Sequence, residues 1–259
     1  MDRWIGKVAV VTGASVGIGE AIVKKLVSHG MKVVGCARNE KKLKQIASEI
    51  NGKGQGEMFP FKCDVTDESN ILEMFKFVEE KFGKIHVLVN NAGLAHEAPV
   101  TSGKTEEWKR MLDVNVLGLS ICVRETVQIM KSTGVDDGHI INISSVAGHK
   151  VGDKTMYAGT KFAVRALTEG LRKELREAKT HIKSTSVSPG FVATEFAYRL
   201  YEGEPERAQK LYSKIVCLKA EDVAEAVAFA LSTPAHVDIN EITMRPVEQT
   251  KVIIVGWGN

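Results

Sequence analysis

The chain has 259 residues, 44% of them apolar and 26% charged, with 23 glycines and only 6 prolines. A chain of that length buries roughly three quarters of its unfolded surface without disulfides or a structural metal, and its glycine and proline usage excludes collagen-like and Pro-rich disordered chains. The 35 basic and 32 acidic residues leave a net charge of +3, scattered rather than gathered into the basic stripe that nucleic acid requires, so no nucleic-acid partner is expected.

Short β-branched runs alternate with amphipathic stretches from the start. Lys7–Thr12 reads as a buried strand, Gly17–His29 as a helix and Lys32–Ala37 as a second strand, which makes one βαβ unit. The rhythm continues through a helix over Glu40–Ile50, a strand over Met58–Cys63, a helix over Glu68–Phe82 and a strand over Ile85–Asn90. A long helix over Thr105–Met130, a strand over His139–Ile143, a helix over Met156–Ala178 and a strand over Ile182–Val187 follow. Such alternation predicts an α/β fold, a Rossmann-type doubly wound parallel sheet with helices on both faces. From Phe191 to Tyr212 the sequence is mixed aromatic and charged without a regular period. A helix resumes at Ala220–Leu231, its start favoured by Glu221 and Asp222, and a last strand is expected over Glu241–Arg245. No repeat, low-complexity tract or Gly/Ser linker intervenes, so a single domain over residues 1–259 is expected.

Cys36, Cys63, Cys122 and Cys217 stand far apart with no C-x-x-C pair. That spacing suits neither a zinc module nor a disulfide framework, so reduced thiols, no metal site and a cytoplasmic setting are expected. The apolar run Val8–Val11 behind Asp2 and Arg3 is too short for a signal-peptide core or a membrane span. Asn142-Ile143-Ser144 matches a glycosylation sequon, but inside a predicted strand it reads as a chance match.

The first strand runs into Thr12-Gly13-Ala14-Ser15-Val16-Gly17-Ile18-Gly19, at the mouth of the first helix. Gly13, Gly17 and Gly19 permit a tight turn and close approach of a pyrophosphate to helix N–H groups, where the dipole attracts anions. At the end of the second strand a NAD-binding protein carries an acid for the ribose hydroxyls. Here Ala37-Arg38-Asn39 stands instead. An arginine makes charged, bidentate hydrogen bonds to a 2′-phosphate, so NADP(H) is the expected cofactor, with Ser15 a further hydroxyl donor. Asp64 and Val65 follow the third strand, placed to contact an adenine ring. Asn90, Asn91, Ala92 and Gly93 end the fourth at the same carboxyl edge, where ligands bind in open α/β sheets.

Tyr157-Ala158-Gly159-Thr160-Lys161 opens a predicted helix, and the spacing of four puts Tyr157 and Lys161 on one face. A nearby ammonium favours the phenolate, which makes the pair an acid/base candidate. Just upstream the strand ends in Ser144-Ser145-Val146-Ala147-Gly148, where a hydroxyl can steady a substrate oxygen; the two serines compete for that role. Asn115 lies inside an otherwise apolar helix, where a buried amide must find partners.

In their order along most of the chain, these pieces resemble the short-chain dehydrogenase/reductase family. The matching segments are T-G-x-x-x-G-x-G, N-N-A-G, Asn115, I-N-I-S-S-V-A-G, Y-x-x-x-K, and Ser188-Pro189-Gly190 with Thr194. The resemblance implies reversible hydride transfer between NADP(H) and an alcohol or carbonyl. Carried over, Tyr157 is the acid/base, and Lys161 binds the nicotinamide ribose while depressing the tyrosine pKa. Asn115 holds a water linking Lys161 to solvent, and Pro189, Gly190, Val192 and Thr194 seat the nicotinamide carboxamide. Family motifs place the catalytic serine second in S-S-x-A-G, which selects Ser145, whereas the commonest spacing to the tyrosine points to Ser144. Pairing through the two long helices implies a homodimer or homotetramer.

Val34-Gly35-Cys36-Ala37-Arg38, Asp136-Asp137-Gly138-His139-Ile140, Leu167-Thr168-Glu169-Gly170-Leu171-Arg172 and Ser232-Thr233-Pro234-Ala235-His236 are similar to a branch of the family that acts on farnesol or on ketosteroids. Tyr198, Tyr201 and Tyr212, with Phe191, Phe196, Leu200 and Leu211, suit an apolar lid over residues 191–215 for an isoprenoid- or steroid-sized alcohol or carbonyl, while Glu202, Glu204 and Glu206 keep one face wet. The rival from another class is a non-catalytic NADPH sensor acting through a protein partner. Such a sensor needs the glycine turn but not the Ser, Tyr, Lys and Asn set.

Overall fold

The computed structural model describes residues 1–54, 56–201 and 203–250. Seven strands form one sheet: β1 (Val8–Thr12), β2 (Lys32–Ala37), β3 (Glu57–Lys62), β4 (Val87–Asn90), β5 (His139–Ile143), β6 (Lys183–Pro189) and β7 (Glu241–Met244). Their spatial order is β3-β2-β1-β4-β5-β6-β7, and every neighbouring pair is parallel. The expected Rossmann-type sheet is therefore present. Chain direction across the sheet reverses between β1 and β4, and there the carboxyl edge opens a crevice.

The helices are α1 (Gly17–Ser28), α2 (Glu40–Ile50), α3 (Glu68–Phe82), α4 (Thr105–Leu112), α5 (Leu119–Ser132), α6 (Thr155–Glu177), α7 (Glu195–Leu200), α8 (Pro205–Tyr212) and α9 (Ala220–Ser232). They cover both faces of the sheet, which explains the apolar runs of β1 and β2. Val8 and Val10 of β1 pack with Val34, Leu88 and Ile140 on one face, while Ala9 and Val11 pack with Val33, Val87, Val89 and Ile141 on the other. Strand and helix ends fall within a residue or two of the sequence expectation. Among the described residues no helix is long and apolar enough to cross a membrane. Asn142 and Ser144 of the sequon are buried in and behind β5.

Three features depart from the sequence reading. A short 3-10 turn, Asp2–Trp4, precedes β1, and its buried Trp4 donates to Leu231 O at 2.7 Å. The long helix expected over Thr105–Met130 is not uniformly α: Asp113–Gly118 form a π-helical segment between α4 and α5. Tertiary contacts hold this segment, because Asn115 is bonded on both sides and a side chain on Gly118 would lie 2.3 Å from Val65 O. Finally, the stretch that lacks a period from Phe191 to Tyr212 contains two short helices, α7 and α8. Thr194 N-caps the first, and Pro205 opens the second at a position where its missing N–H costs nothing. Glu202 lies outside the described residues.

His86 and His139 sit at the amino ends of β4 and β5, and burial is the main cause that lowers them from the ordinary histidine value of 6.5 to about 4 and about 3. Both rings are therefore neutral when folded and take up protons on unfolding. Their contribution is intact above about pH 7 and is lost as pH falls from about 6.5 towards 4, by about 1.4 kcal/mol per pH unit for each ring. Urea unfolding at pH 5 is expected at a clearly lower midpoint than at pH 7, with a shallower pH dependence in His139→Gln. Equal midpoints would contradict this reading.

Candidate active site

A cleft of about 1360 Å³ runs along the carboxyl edge of the sheet, from Arg38 and Asp64 past the glycine turn to Tyr157 and the α7–α8 pair. Ser145, Tyr157, Lys161, Arg38 and most of the other expected site residues line it, whereas Gly19, Asn90, Asn115 and Ser188 do not. Gly13 and Gly17 have φ of +66° and +55°, the left-handed region that glycine tolerates. A side chain on Gly19 would lie 2.2 Å from Gly13 O and 2.5 Å from Asn91 Nδ2, so only glycine lets α1 start this close to the turn. Asn91 braces the same turn by donating from Nδ2 to Thr12 O and Gly13 O, while the N–H groups of Asn91 and Ala92 donate to Thr12 Oγ1 at 3.0 Å. The α1 N-cap is Val16, which offers no side-chain acceptor to the first-turn N–H groups. The end of α1 is thus shaped to receive a phosphate.

Arg38 is exposed at the end of β2, lines the cleft, and among the described residues has no ion-pair partner. Asp64 is held by an Asx turn, its Oδ1 accepting from Thr66 N at 3.0 Å and Thr66 Oγ1 at 2.8 Å, and Val65 extends the wall beside it. These groups, the glycine turn and the crevice fit a dinucleotide.

At the other end, Tyr157 lies in the first turn of α6 and Lys161 one turn further along. Lys161 is buried, donates to Ile143 O at 2.9 Å, and sits 5.8 Å from the Tyr157 ring centroid. Ser144 and Ser145 face different ways. Ser145 hydrogen-bonds Tyr157, whereas Ser144 is buried and donates to Lys161 O at 3.2 Å. Burial pushes the Tyr157 hydroxyl up to about 12, against the lowering effect of the Ser145 hydrogen bond, and pushes Lys161 down to about 8. This departs from the expectation that the ammonium would lower the tyrosine: with Lys161 turned to a backbone carbonyl, desolvation dominates.

Asn115, in the π segment, donates to Leu94 O at 2.8 Å and Thr160 Oγ1 at 3.0 Å and accepts from Leu94 N at 2.9 Å. Both of its amide hydrogens are committed to joining the β4 loop to α6. Gly93 lines the cleft beside both residues: its Cβ position lies at ordinary contact distance, 3.5 Å from Asn115 Oδ1 and 3.6 Å from Lys161 Nζ.

Beyond β6, Gly190 N donates to Met244 O at 2.7 Å, and Val192 bridges Leu218. Thr194 packs on the glycine turn, 3.1 Å from where a Gly17 side chain would project. Phe196 of α7 lies over Tyr157 with ring centroids 5.8 Å apart. The Tyr212 hydroxyl donates to Thr194 O and accepts from Ala197 N, which binds the two short helices together. Arg207 of α8 donates to both carboxylate oxygens of Glu97, at 2.8 and 2.9 Å, and Lys154 bonds the same carboxylate. Sequence reasoning missed Glu97, Arg207 and Gln249. Gln249 accepts from Phe191 N at 3.0 Å and lines the cleft. Each reaches the site from a distant part of the chain, and no local motif marks it.

A doubly wound sheet, a glycine turn at its crevice and a Ser–Tyr–Lys set at the same edge define a nucleotide-dependent oxidoreductase. The short chain dehydrogenase profile matches residues 7–205. The chain belongs to the short-chain dehydrogenase/reductase family of NAD(P)-dependent oxidoreductases. Dehydrogenase/reductase SDR family member 11 of Gallus gallus is 54% identical over 253 residues, 96% of this chain and 99% of that protein. Farnesol dehydrogenase of Aedes aegypti is 44% identical over 251 residues, 95% and 98% of the two chains. Among solved structures, the closed form of serine dehydrogenase complexed with NADP+ superposes with a TM-score of 0.88 at 33% identity, covering 97% of this chain and 100% of that one.

Proposed function

We propose that the protein is an NADP(H)-dependent dehydrogenase/reductase for an apolar alcohol or its carbonyl, of isoprenoid or steroid size. One observation carries the reading. A single cleft joins an arginine at the end of β2, without an ion-pair partner among the described residues, to a tyrosine that bonds Ser145 and lies beside the aromatic ring of Phe196. Arg38 takes the 2′-phosphate, the α1 N-terminus the pyrophosphate, and Asp64 and Val65 the adenine. Pro189, Gly190, Val192 and Thr194 seat the carboxamide. NADP(H) bound there would supply or take up the hydride. In reduction Ser145 donates to the substrate oxygen, and Tyr157, a neutral phenol at pH 7, delivers the proton. Lys161 holds the ribose, and Asn115 keeps the π segment against Lys161's helix.

Residues 191–215 act as the lid, tied down through Glu97, Arg207 and Lys154. The whole chain works as one domain. Exposed Leu117, Phe162 and Leu167, on the π segment and α6, support pairing into a homodimer or homotetramer. Four free cysteines, three of them buried, suit a reducing compartment such as the cytoplasm. The test is oxidation of NADPH and NADH, followed by absorbance, against farnesal, a ketosteroid and a small dicarbonyl. Turnover of an apolar carbonyl with NADPH preferred is expected. Tight NADPH binding with no turnover on the whole panel would overturn the reading.

A further inference from the structure

Glu241 opens β7, the edge strand, where no step of the proposed reaction needs a charge. Yet one of its oxygens gathers groups from both walls of the catalytic end. His149 Nε2 lies 2.7 Å from Glu241 Oε1, Ser188 Oγ donates to it at 3.1 Å, and Arg165 Nε approaches to 3.4 Å. Each of these residues is joined by main chain to a part of the site. His149 ends the turn that starts at Ser145: Gly148 N donates to Ser145 O at 2.8 Å, Ala147 N to Ser145 Oγ at 3.1 Å, and His149 N to Val146 O at 3.1 Å. Arg165 stands one helical turn beyond Lys161 and donates to Gly148 O at 3.3 Å. Ser188 immediately precedes Pro189 and Gly190, and its hydroxyl also meets His149 Nε2 at 3.2 Å.

We propose that Glu241 is a positioning residue: through His149, Arg165 and Ser188 it sets the Ser145 turn against the Pro189–Gly190 strand end, and so the place of the substrate oxygen relative to the hydride. The inference rests on the proposed reductase reading. Isolated, part-exposed ion pairs contribute little to stability; here three partners converge on one carboxylate from three elements that frame one site, an arrangement that fixes geometry. Misplacement by about 1 Å costs up to a hundredfold in rate.

The test compares Glu241→Gln, His149→Ala and the double variant with the wild type, using the carbonyl the wild type reduces best. Expected is a fall in kcat of about tenfold or more in Glu241→Gln, with the NADPH dissociation constant within about twofold. The double variant is expected to fall short of the product of the two single effects, because His149 is one of the three arms through which Glu241 acts. Independently of turnover, the ring-proton NMR signal of 15N-labelled His149 should shift on Glu241→Gln. Should Glu241→Gln fold poorly, Ser188→Ala, which cuts one arm alone, should still lower kcat without changing NADPH affinity. An unchanged kcat, or additive effects in the double variant, would overturn the proposal. A wild type with no activity on any carbonyl, or full activity in Tyr157→Phe, would instead overturn the reductase reading.

Discussion

Tyr157→Phe is expected to lower carbonyl reduction by about 10²–10⁴-fold, the usual worth of a positioned general acid, while NADPH binds as before. The substitution removes only the hydroxyl that bonds Ser145 and leaves the ring beside Phe196. The part-exposed Ser145 hydroxyl keeps its bond from Ala147 N, so the fold should hold. The loss belongs in kcat, because the proton is needed in the transition state rather than in binding. Stopped-flow NADPH oxidation with a cofactor titration measures both quantities. Activity within tenfold of the wild type would mean that the proton comes from elsewhere, and weakened NADPH binding would mean that the hydroxyl has a structural role.

The second large effect is expected from Arg38→Asp. Arg38 is exposed, faces the cleft and among the described residues spends its charge on no other side chain, so nothing in the fold depends on it. Charged hydrogen bonds are each worth about 1.5–3 kcal/mol; losing them and placing a carboxylate against a 2′-phosphate should lower the NADPH/NADH ratio of kcat/KM by at least about a hundredfold. The same carboxylate accepts from the free ribose hydroxyls of NADH, so part of the change should appear as a gain with NADH. An unchanged ratio would show that Arg38 does not read the phosphate.

Much of the site was legible because its chemistry is local. The glycine turn, Arg38 and the Tyr157–Lys161 pair each depend on a few consecutive residues at a strand–helix junction or within one helical turn. Backbone conformation and side-chain reach settle them without the rest of the molecule. The alternating runs likewise disclosed the parallel sheet, since strands covered on both faces, such as β1 and β2, favour continuous apolar runs. The period failed where tertiary bonds outweighed it: Asn115 sits in an apolar helical pattern, but its bonds to Leu94 and Thr160 hold a π segment there. Similarly, α7 and α8 are short and amphipathic, and the Tyr212 hydroxyl and the Glu97–Arg207 pair secure them across the chain.

By itself, then, the sequence determined the family, the doubly wound sheet and the two ends of the cleft, because these follow from short-range steric and electrostatic rules. Only the tertiary structure decided which serine meets Tyr157, since Ser144 and Ser145 differ in the direction each faces at the end of β5. It alone decided that burial, more than Lys161, sets the tyrosine's proton affinity, because desolvation depends on everything packed around the hydroxyl. Glu241, Glu97 and Gln249 reach the site only through folding, from positions tens of residues away. A contact between distant segments leaves no local pattern, and there the reading of the chain stops and its packing begins.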